Sequence, residues 1–409
     1  RRLRATLVVV EVGLAVVLLI GAGLTIRSFA RLTAIDLGFK PDHVVTMRVT
    51  LPPAAYPELP RWMAFHDELV RRVASVPAVE SVALNSSVPL GGGGSESEIR
   101  YEGQPPPRSN EDGTMCLFET ATPDYFRVMG IQLIAGRPFN ERDTADAAPV
   151  AIIDESLARK FFPTPAINDA IGKRVAFEFR GQHGPEAQPL WREVVGVASH
   201  VRHYGLVSEP VSGQVYAPFQ QLPTYFTERR PSMALLVRTS VAPDTLAASI
   251  RREVAALDKD IPVYGVQTLT TFVDQTTETP RLSVELLAAF GVLALVLAVL
   301  GIYGVLSYLV STRMREIGIR LALGATAGDV LRLVVGQGMA MAACGIAVGL
   351  LGAWLLTESL RKLLFEVSPH DATTYGGIVV ILLTAALVAS YLPGRRATRV
   401  DPATTLRSE

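Results

Sequence analysis

The sequence of this 409-residue chain contains four long apolar runs. A bilayer core about 30 Å thick requires about 20 helical residues, each rising about 1.5 Å. Runs of that length occur at residues 5–26, about 284–310, 333–356 and 372–392. The pattern predicts an α-helical membrane protein with four transmembrane helices in a 1+3 arrangement, one before and three after a long polar segment.

The first run differs from the others because it contains an acidic residue, Glu11. A charge near the membrane centre costs about 3 kcal/mol on insertion scales, and the surrounding Val and Leu residues can offset it. The run is longer than the apolar part of a signal peptide, and residues 28–30 are a poor cleavage site, which favours a retained span. Since the other spans offer only Gln337 and hydroxyl groups near the membrane centre, we expect Glu11 to serve helix packing or the interface rather than an ion relay.

Arginine is concentrated in the segments on one side of the spans. The segments before the first span, between the second and third, and after the fourth hold eleven arginines against four acidic residues. The arginines are Arg1, Arg2, Arg4, Arg313, Arg315, Arg320, Arg332, Arg395, Arg396, Arg399 and Arg407. Arg-rich short segments remain in the cytoplasm, so both termini are expected there. Residues 32–279, with 23 Lys and Arg against 30 Asp and Glu, are then extracytoplasmic.

The extracytoplasmic segment 32–279 alternates between helical and strand periodicity. Helices are predicted over 59–75, 155–162 and 243–257. Strands are predicted over 44–51, 79–85, 148–154, 191–201, 214–218 and 233–239. Since the elements show no strict βαβ rhythm, we expect an α+β domain of mixed sheets. Glycine and proline over 91–113 suggest a division into two lobes.

Three patterns in the sequence could indicate chemistry, and each has a simpler interpretation. The glycine run at 91–94 lacks the Gly-Lys-Ser/Thr ending of a phosphate loop, so we interpret it as a flexible loop. His200 and His203 have no evident further ligands and are interpreted as a solvated strand end rather than half of a metal site. The sequence contains no Walker-type loop and no Gly-x-Ser-x-Gly elbow. We therefore expect no enzyme, no cofactor or metal, and no nucleic-acid partner.

Small residues in the spans predict close contacts between helices. Gly345, Gly349 and Gly352 lie in the third span, and Gly301 and Gly304 lie in the second. Glycine lets two helix backbones approach each other in a membrane. The spacing leaves open whether the contact is within the chain or with a second copy.

The basic connection between the second and third spans is the most informative segment. It contains Arg313-Met-Arg-Glu-Ile-Gly-Ile-Arg-Leu-Ala-Leu-Gly-Ala325. Glu316 and Arg320 have the favourable i, i+4 order, Gly324 can end a helix, and Thr326-Ala-Gly-Asp329 fits a capping box. The pattern predicts a helix, a sharp turn and a second helix, well placed to receive force from a cytoplasmic partner. The alternative is an interfacial amphipathic turn that only anchors the spans.

The chain resembles the MacB/FtsX-type family of ABC permeases over nearly its whole length. The resemblance rests on Arg315-Glu-Ile-Gly-Ile-Arg-Leu-Ala-Leu-Gly-Ala325 and on the terminal Arg395-Arg-Ala-Thr-Arg-Val-Asp-Pro402 with Leu406-Arg407. Shorter matching phrases occur in the same order in the outer segment. They are Thr122-Pro-Asp-Tyr-Phe-Arg-Val-Met-Gly130, Ala135-Gly-Arg-Pro-Phe139, Ile171-Gly-Lys-Arg174 and Val194-Val-Gly-Val197.

This resemblance implies a domain organisation and a set of partners. It implies a first span with its stalk at 1–31, a MacB-like core domain at 32–279, and an FtsX-like permease domain at 280–409 with a coupling loop at 311–332. It also implies a permease driven by a separate ABC ATPase subunit that grips the loop. The loop residues implied to make that contact are Arg313, Arg315, Glu316, Ile317, Gly318, Arg320, Leu323 and Gly324. The opening residues 4–29 are similar to the start of the second half of duplicated permeases, so we expect a second permease unit and further sequence upstream.

The function implied by the resemblance is efflux or export across the bacterial inner membrane. ATP hydrolysis by the partner would move the coupling loop, and the spans would transmit this motion through helical extensions at 25–34 and about 270–284, a mechanism called mechanotransmission. A periplasmic adaptor or outer-membrane factor would be a further partner. The alternative is a non-transporting FtsX-like signal transmitter that regulates an envelope hydrolase or a sensor. A membrane-tethered enzyme would need a catalytic cluster in 32–279, and the sequence offers none.

Overall fold

The computed structural model describes residues 2–91, 94–104, 113–162, 167–179, 190–206, 210–222, 232–323, 325–358, 364–365 and 367–398. The predictions for Gly324, Arg399, Arg407 and the middle of the glycine run lie outside these residues. The chain divides into two compact units. One consists of Arg1–Ala34 with Glu278–Glu409, and the other of Ile35–Thr277.

The described part of the chain forms nine helices and eleven strands. The helices are α1 (Arg2–Thr33), α2 (Leu59–Ala74), α3 (Tyr125–Met129), α4 (Glu155–Phe161), α5 (Ala247–Leu257), α6 (Leu269–Thr312), α7 (Met314–Ala322), α8 (Ala327–Thr357) and α9 (Ala372–Ala397). The strands are β1 (Val44–Val49), β2 (Val79–Asn85), β3 (Ser95–Tyr101), β4 (Thr114–Ala121), β5 (Leu133–Gly136), β6 (Val150–Asp154), β7 (Arg174–Phe179), β8 (Trp191–Ala198), β9 (Gln214–Pro218), β10 (Met233–Thr239) and β11 (Val263–Thr268).

The first unit is built from the long apolar helices. Among the described residues, α1, α6, α8 and α9 are long and apolar enough to cross a membrane. Each contains one of the predicted spans, so the four-span arrangement is confirmed. Val16, Ile20 and Leu306 belong to one buried core formed by these helices. Phe290 and Leu297 of α6 are exposed, and such large apolar side chains are suited to contact with lipid.

The second unit contains all eleven strands in one sheet, with both parallel and antiparallel pairs in the described residues. The α+β class with mixed strand pairing is therefore confirmed. β11, β1, β10 and β2 form an antiparallel part. The helices α2 and α5 cover this part and contribute Trp62, Leu69, Ile250 and Val254 to its core. Alternating apolar side chains drive this packing, because every second residue of a strand faces the same side.

The other part of the sheet closes on itself. β4, β3, β7, β8, β6 and β9 pair in that order, and β9 pairs again with β4 through the register Leu117↔Gln214 to Ala121↔Pro218. Buried residues including Phe118, Ile153 and Val197 form a core with α4. β2 and β4 join this closed part to the antiparallel part through the register pair Asn85↔Ala121. The Ser86 amide also donates to the Thr120 carbonyl, and the Thr122 amide donates to the Leu84 carbonyl.

The structure also contains elements that the sequence pattern did not predict. β3, β4, β5, β7, β11 and the short helix α3 lay outside the predicted elements. β3 has the sequence Ser-Glu-Ser-Glu-Ile-Arg-Tyr, and its polar residues conceal the strand because backbone pairing with β4 and β7 holds it in place. It lies within the stretch 91–113 that was predicted as a boundary between lobes. At the beginning of that stretch, between β2 and β3, the chain passes from the antiparallel part of the sheet to the closed part.

Candidate coupling site between the second and third spans

The connection between α6 and α8 folds into the short helix α7 (Met314–Ala322), which begins two residues after α6 ends. The backbone amide of Ile317 donates to the carbonyl of Arg313 over 2.9 Å. Arg320 Nη2 donates to Glu316 Oε1 over 2.7 Å, and Arg313 Nε lies 3.9 Å from Glu316 Oε2. Each exposed pair of this kind contributes a few tenths of a kcal/mol to a helix. The predicted i, i+4 pair is therefore formed.

One side of α7 is buried against the spans and the other is free. Ile317 is only 5% exposed and Gly318 is buried, whereas Ile319 is 43% exposed. Leu323, just after the helix, is 82% exposed. Because Ile319 and Leu323 are four residues apart, they lie on the same face of the helical turn. Two exposed apolar side chains on a charged helix are suited to contact with another protein.

The start of α8 has the predicted capping box. The amide of Asp329 donates to Thr326 Oγ1 over 3.3 Å, and the amide of Thr326 donates to Asp329 Oδ2 over 3.0 Å. Together the two bonds satisfy amide donors at the helix start that have no partner within the helix. They also fix where α8 begins, and therefore how far α7 stands from it.

A cavity of about 20 Å³ lies beneath α7. Arg313, Glu316 and Arg320 line it from the coupling segment, and Val310, Leu333 and Gln337 line it from the adjoining spans. The volume is sufficient for about one water molecule. The buried side of α7 thus has little free space beneath it, so displacement of α7 requires movement of the span ends.

The glycines of the third span lie against α1. A methyl group at Gly345 would come within 2.6 Å of Val12 Cβ, and one at Gly349 within 2.5 Å of Val16 Cβ and 2.7 Å of the Gly13 carbonyl oxygen. A methyl group at Gly352 would make an ordinary 3.5 Å contact with Val17. The structure therefore places the Gly345 and Gly349 contact within the chain, where the sequence left a second copy as an alternative.

The two glycines of the second span have different surroundings. Gly301 faces Glu11 of α1, and a methyl group there would overlap the carboxylate. A methyl group at Gly304 would meet no described atom within 4 Å. Gly301 therefore creates the space for the acidic side chain, while Gly304 is open.

A polar cluster that the sequence analysis missed joins α1 to the start of α9. The guanidinium of Arg27 forms an ion pair with Asp371 and donates to the Thr373 hydroxyl. Asp371 also accepts the Thr374 amide over 2.8 Å as the N-cap of α9. These donors hold the pKa of Asp371 below its ordinary value, chiefly through the Thr374 and Thr373 hydroxyls. The signal was present in the sequence, because Asp-Ala-Thr-Thr before an apolar run fits a helix N-cap.

The prediction that His200 and His203 form a solvated strand end is wrong. His203 is 1% exposed, and its Nδ1 lies 3.2 Å from Glu119 Oε1. His200 Nδ1 lies 2.7 Å from Oδ2 of the buried Asp154. Each histidine faces a different buried carboxylate that is distant from it in sequence, which is why the pattern could not reveal the pairs. Among the described residues, no group of three or more His, Cys, Asp and Glu side chains could hold a metal ion.

These features define a multi-pass membrane protein that combines four spans with a separate α+β domain. Residues 7–253 match the model of the MacB-like periplasmic core domain, and residues 288–402 match that of the FtsX-like permease C-terminal domain. Because the first match covers more than half of the sequence, the chain belongs to the MacB/FtsX-type permease family. The resemblance inferred from the motifs is confirmed.

Individual relatives are distant. The Macrolide export ATP-binding/permease protein MacB of Hahella chejuensis is 27% identical over 299 residues, which is 70% of this chain and 42% of that protein. MacB of Escherichia coli K12 is 26% identical over 294 residues, again 70% of this chain and 42% of the relative. The chain spans about two fifths of the length of these relatives.

Two solved structures are also similar. The periplasmic region of MacB from Actinobacillus actinomycetemcomitans has 17% identity and a TM-score of 0.37, covering 59% of this chain and 94% of that one. The extracellular domain of the noncanonic ABC-type transporter YknZ from Gram-positive bacteria has 23% identity and a TM-score of 0.33, covering 53% and 93%.

Proposed function

We propose that this chain is the non-catalytic permease unit of an ABC-type transporter, driven through α7 by a separate ATPase subunit. Membership of the MacB/FtsX-type family supports a transport-related function. The observation that carries the assignment of the contact is the paired exposure of Ile319 and Leu323 beside the Glu316–Arg320 ion pair. A partner could bury the two apolar side chains and form ion pairs with the flanking charged residues. The coupling residues named from the sequence thus remain our proposal for the contact surface.

The mechanism that we propose is mechanotransmission. α6 is one helix of 44 residues. Its residues Leu269 and Phe272 pack in the core of the second unit, while Ile302 and Leu306 pack in the core of the first. A displacement of α7 acts on the end of α6, and a helix that packs in both cores can convey the displacement to the extracytoplasmic domain. Work is thereby done outside the membrane while ATP is hydrolysed in the cytoplasm.

The remaining parts of the assembly belong to the same proposal. The arginine-rich segments support a cytoplasmic location for α7 and for both ends of this sequence, in a protein of the bacterial inner membrane. The domain division at 1–31, 32–279 and 280–409, the second permease unit, and an adaptor or outer-membrane factor are proposed on the family resemblance. Efflux or export is the proposed outcome, since the relatives carry names of macrolide export proteins.

The contact can be tested by site-directed cross-linking. Leu323→Cys in a Cys344→Ser background carries a maleimide photo-cross-linker in native membranes, and the adduct is identified by mass spectrometry. The expected adduct is a protein with a Walker-type phosphate loop. Leu351→Cys, at an exposed position towards the C-terminal end of α8, is the matched control and should yield only lipid adducts. Equal cross-linking of the ATPase from both positions would contradict a specific contact at α7.

The orientation is tested separately in intact cells. A membrane-impermeant maleimide should label Ser240→Cys in the exposed turn after β10 and should leave Leu323→Cys unlabelled until the membrane is opened. Labelling of position 323 from outside would overturn the proposed function, because no ATP-hydrolysing partner works there.

A further inference from the structure

A buried arginine of the second unit forms part of the wall of a large cleft. Arg192 of β8 is 1% exposed. The cleft has a volume of about 600 Å³, and its wall includes Leu59, Met63 and Asp67 of α2, Leu190 and Leu222. A neighbouring cleft of about 430 Å³ shares Asp67 and Gln220 with it. Sites for small molecules have volumes of this order, about 300–1,000 Å³, and are lined mainly by apolar side chains with a few polar groups.

Arg192 is held by neutral acceptors alone in the described structure. Nη1 donates to the Val150 carbonyl over 3.2 Å and to Gln221 Oε1 over 3.0 Å, and Nη2 donates to the Gln221 carbonyl over 2.7 Å. The guanidinium carbon lies 5.3 Å from the centre of the Phe177 ring. The Nε–H group has no hydrogen-bond partner among the described residues. Among the described residues, therefore, no carboxylate compensates this buried charge within hydrogen-bonding distance.

Such an arrangement is energetically unfavourable unless something else supplies negative charge. A buried cation ordinarily has an anionic partner, because transfer from water costs several kcal/mol. Burial lowers the pKa of Arg192 to about 10, which leaves it charged at neutral pH. Gln221 cannot provide more, since its Oε1 also accepts the Val150 amide over 3.0 Å and its Nε2 donates to the carbonyls of Thr144 and Ala148.

The other charged side chain of the cleft is poorly suited to act as the counter-ion. Asp67 accepts a hydrogen bond from Gln220 Nε2 over 2.9 Å. Burial raises the pKa of Asp67, so its negative charge is disfavoured by the same surroundings. The positive charge of Arg192 is thus the more persistent of the two, and the rest of the lining is largely apolar.

We propose that this cleft binds a small amphipathic carboxylate, with its apolar body against Leu59, Met63, Leu190 and Leu222 and its carboxylate directed to Arg192. The carboxylate supplies the missing negative charge, and the body covers apolar side chains such as Leu190, which is 47% exposed. The site is independent of α7 and of the partner proposed there.

The test uses the full chain in lipid nanodiscs with 13C-methyl methionine, whose Met63 resonance reports on the cleft wall and is assigned with Met63→Leu. The probes are 4-phenylbutyrate, its neutral amide and the corresponding amine, 4-phenylbutylamine. We expect the carboxylate to shift the Met63 resonance at millimolar concentration and to bind at least about tenfold more tightly than the amide. Equal shifts with all three probes, or none with the carboxylate, would overturn the proposal.

Two variants separate charge recognition from structural damage. Arg192→Gln should weaken carboxylate binding at least about tenfold and leave amide binding unchanged. Asp67→Asn, which is nearly isosteric and removes a competing negative charge, should leave carboxylate binding equal or tighter. Should Arg192→Gln fail to fold, the relative affinity of Asp67→Asn for the carboxylate and the amide still tests whether the cleft recognises negative charge. A preference for the amide or the amine there would reject the assignment.

Discussion

Gly301 of α6 faces Glu11 of α1 so closely that a methyl group on the glycine would overlap the carboxylate. Only three residues later, Gly304 meets no described atom within 4 Å. The acidic side chain of the first span is therefore accommodated by a missing side chain in the second span. Two glycines that are indistinguishable in the sequence pattern have different roles within the chain.

The pair Gly301 and Gly304 provides an internally controlled stability test. Gly301→Ala should lower the free energy of unfolding by about 1–3 kcal/mol, because the added methyl group displaces the carboxylate from its place between helices. Gly304→Ala should be neutral or stabilising by up to about 1 kcal/mol, since alanine is the better helix former. Thermal unfolding of the purified chain in nanodiscs measures both.

Removal of the Glu11 carboxylate should rescue the Gly301→Ala variant. Adding Glu11→Ala to Gly301→Ala removes the group that is displaced, so the double variant should recover most of the lost stability. Equal effects of the two single variants would show that the Glu11 contact plays no part.

The contact between α1 and α8 should tolerate an added methyl group even less well than the contact between Gly301 and Glu11. At Gly349 the added methyl group meets the backbone oxygen of Gly13 and Val16 Cβ, neither of which can rotate away. We expect Gly349→Ala to cost up to about 3 kcal/mol, more than Gly301→Ala, where the obstacle is the end of a flexible side chain. Gly336→Ala, which meets open space in the same helix, is the control. A chain that loses no thermal stability with Gly349→Ala would contradict the tight packing described.

His66 should make the second unit sensitive to acid. It is completely buried among Trp62, Phe65 and Phe219, and burial lowers its pKa from 6.5 to about 4. In the unfolded chain His66 becomes protonated below about pH 6.5, whereas in the folded chain it stays neutral until about pH 4. Stability therefore falls by about 1.4 kcal/mol per pH unit across that window, or about 3 kcal/mol in all.

Denaturant unfolding followed by tryptophan fluorescence at pH 7, 5.5 and 4.5 checks this dependence. His66→Phe keeps an aromatic ring in the cluster and should flatten the curve, whereas His43→Gln, at an exposed position, should not. A wild-type chain whose stability is constant from pH 7 to pH 4.5 would show that His66 becomes protonated within the fold.

The exposed apolar residues next to α7 lead to a prediction about coupling. Ile319→Glu combined with Leu323→Glu should abolish stimulation of the partner ATPase by the permease, with unchanged membrane insertion and unchanged thermal stability.

Glu316→Lys should reduce stimulation as well, because it places a third positive charge beside Arg313 and Arg320. Gly318→Pro should break α7 at a cost of about 3 kcal/mol of helix stability. Full stimulation in all three variants would exclude α7 as the coupling element.

Much of this architecture could be predicted from the sequence because it depends on local patterns. The spans follow from uninterrupted hydropathy, α2 from the spacing of Trp62, Phe65 and Leu69, and the start of α8 from Thr326 and Asp329. β2 and β9 were predicted with the bounds that the structure shows, since their apolar runs are short and clearly bounded.

What the sequence did not reveal depends on contacts between distant residues. β3 is a strand because β4 and β7 flank it, although its own residues are polar. His203 meets Glu119, and Arg27 meets Asp371, across 84 and 344 positions of the chain respectively. The burial of Arg192 likewise depends on Val150 and Gln221, which no periodicity connects to it.

The closed ring formed by β4, β3, β7, β8, β6 and β9 has a consequence for how this domain meets other extended chains. An edge strand of an open sheet has unpaired amides and carbonyls, with which another extended chain can pair. Because β9 pairs with β4, none of the six described strands of the ring has an open edge. Under the proposed mechanism this domain is displaced repeatedly, and a ring of strands without an open edge is suited to that use.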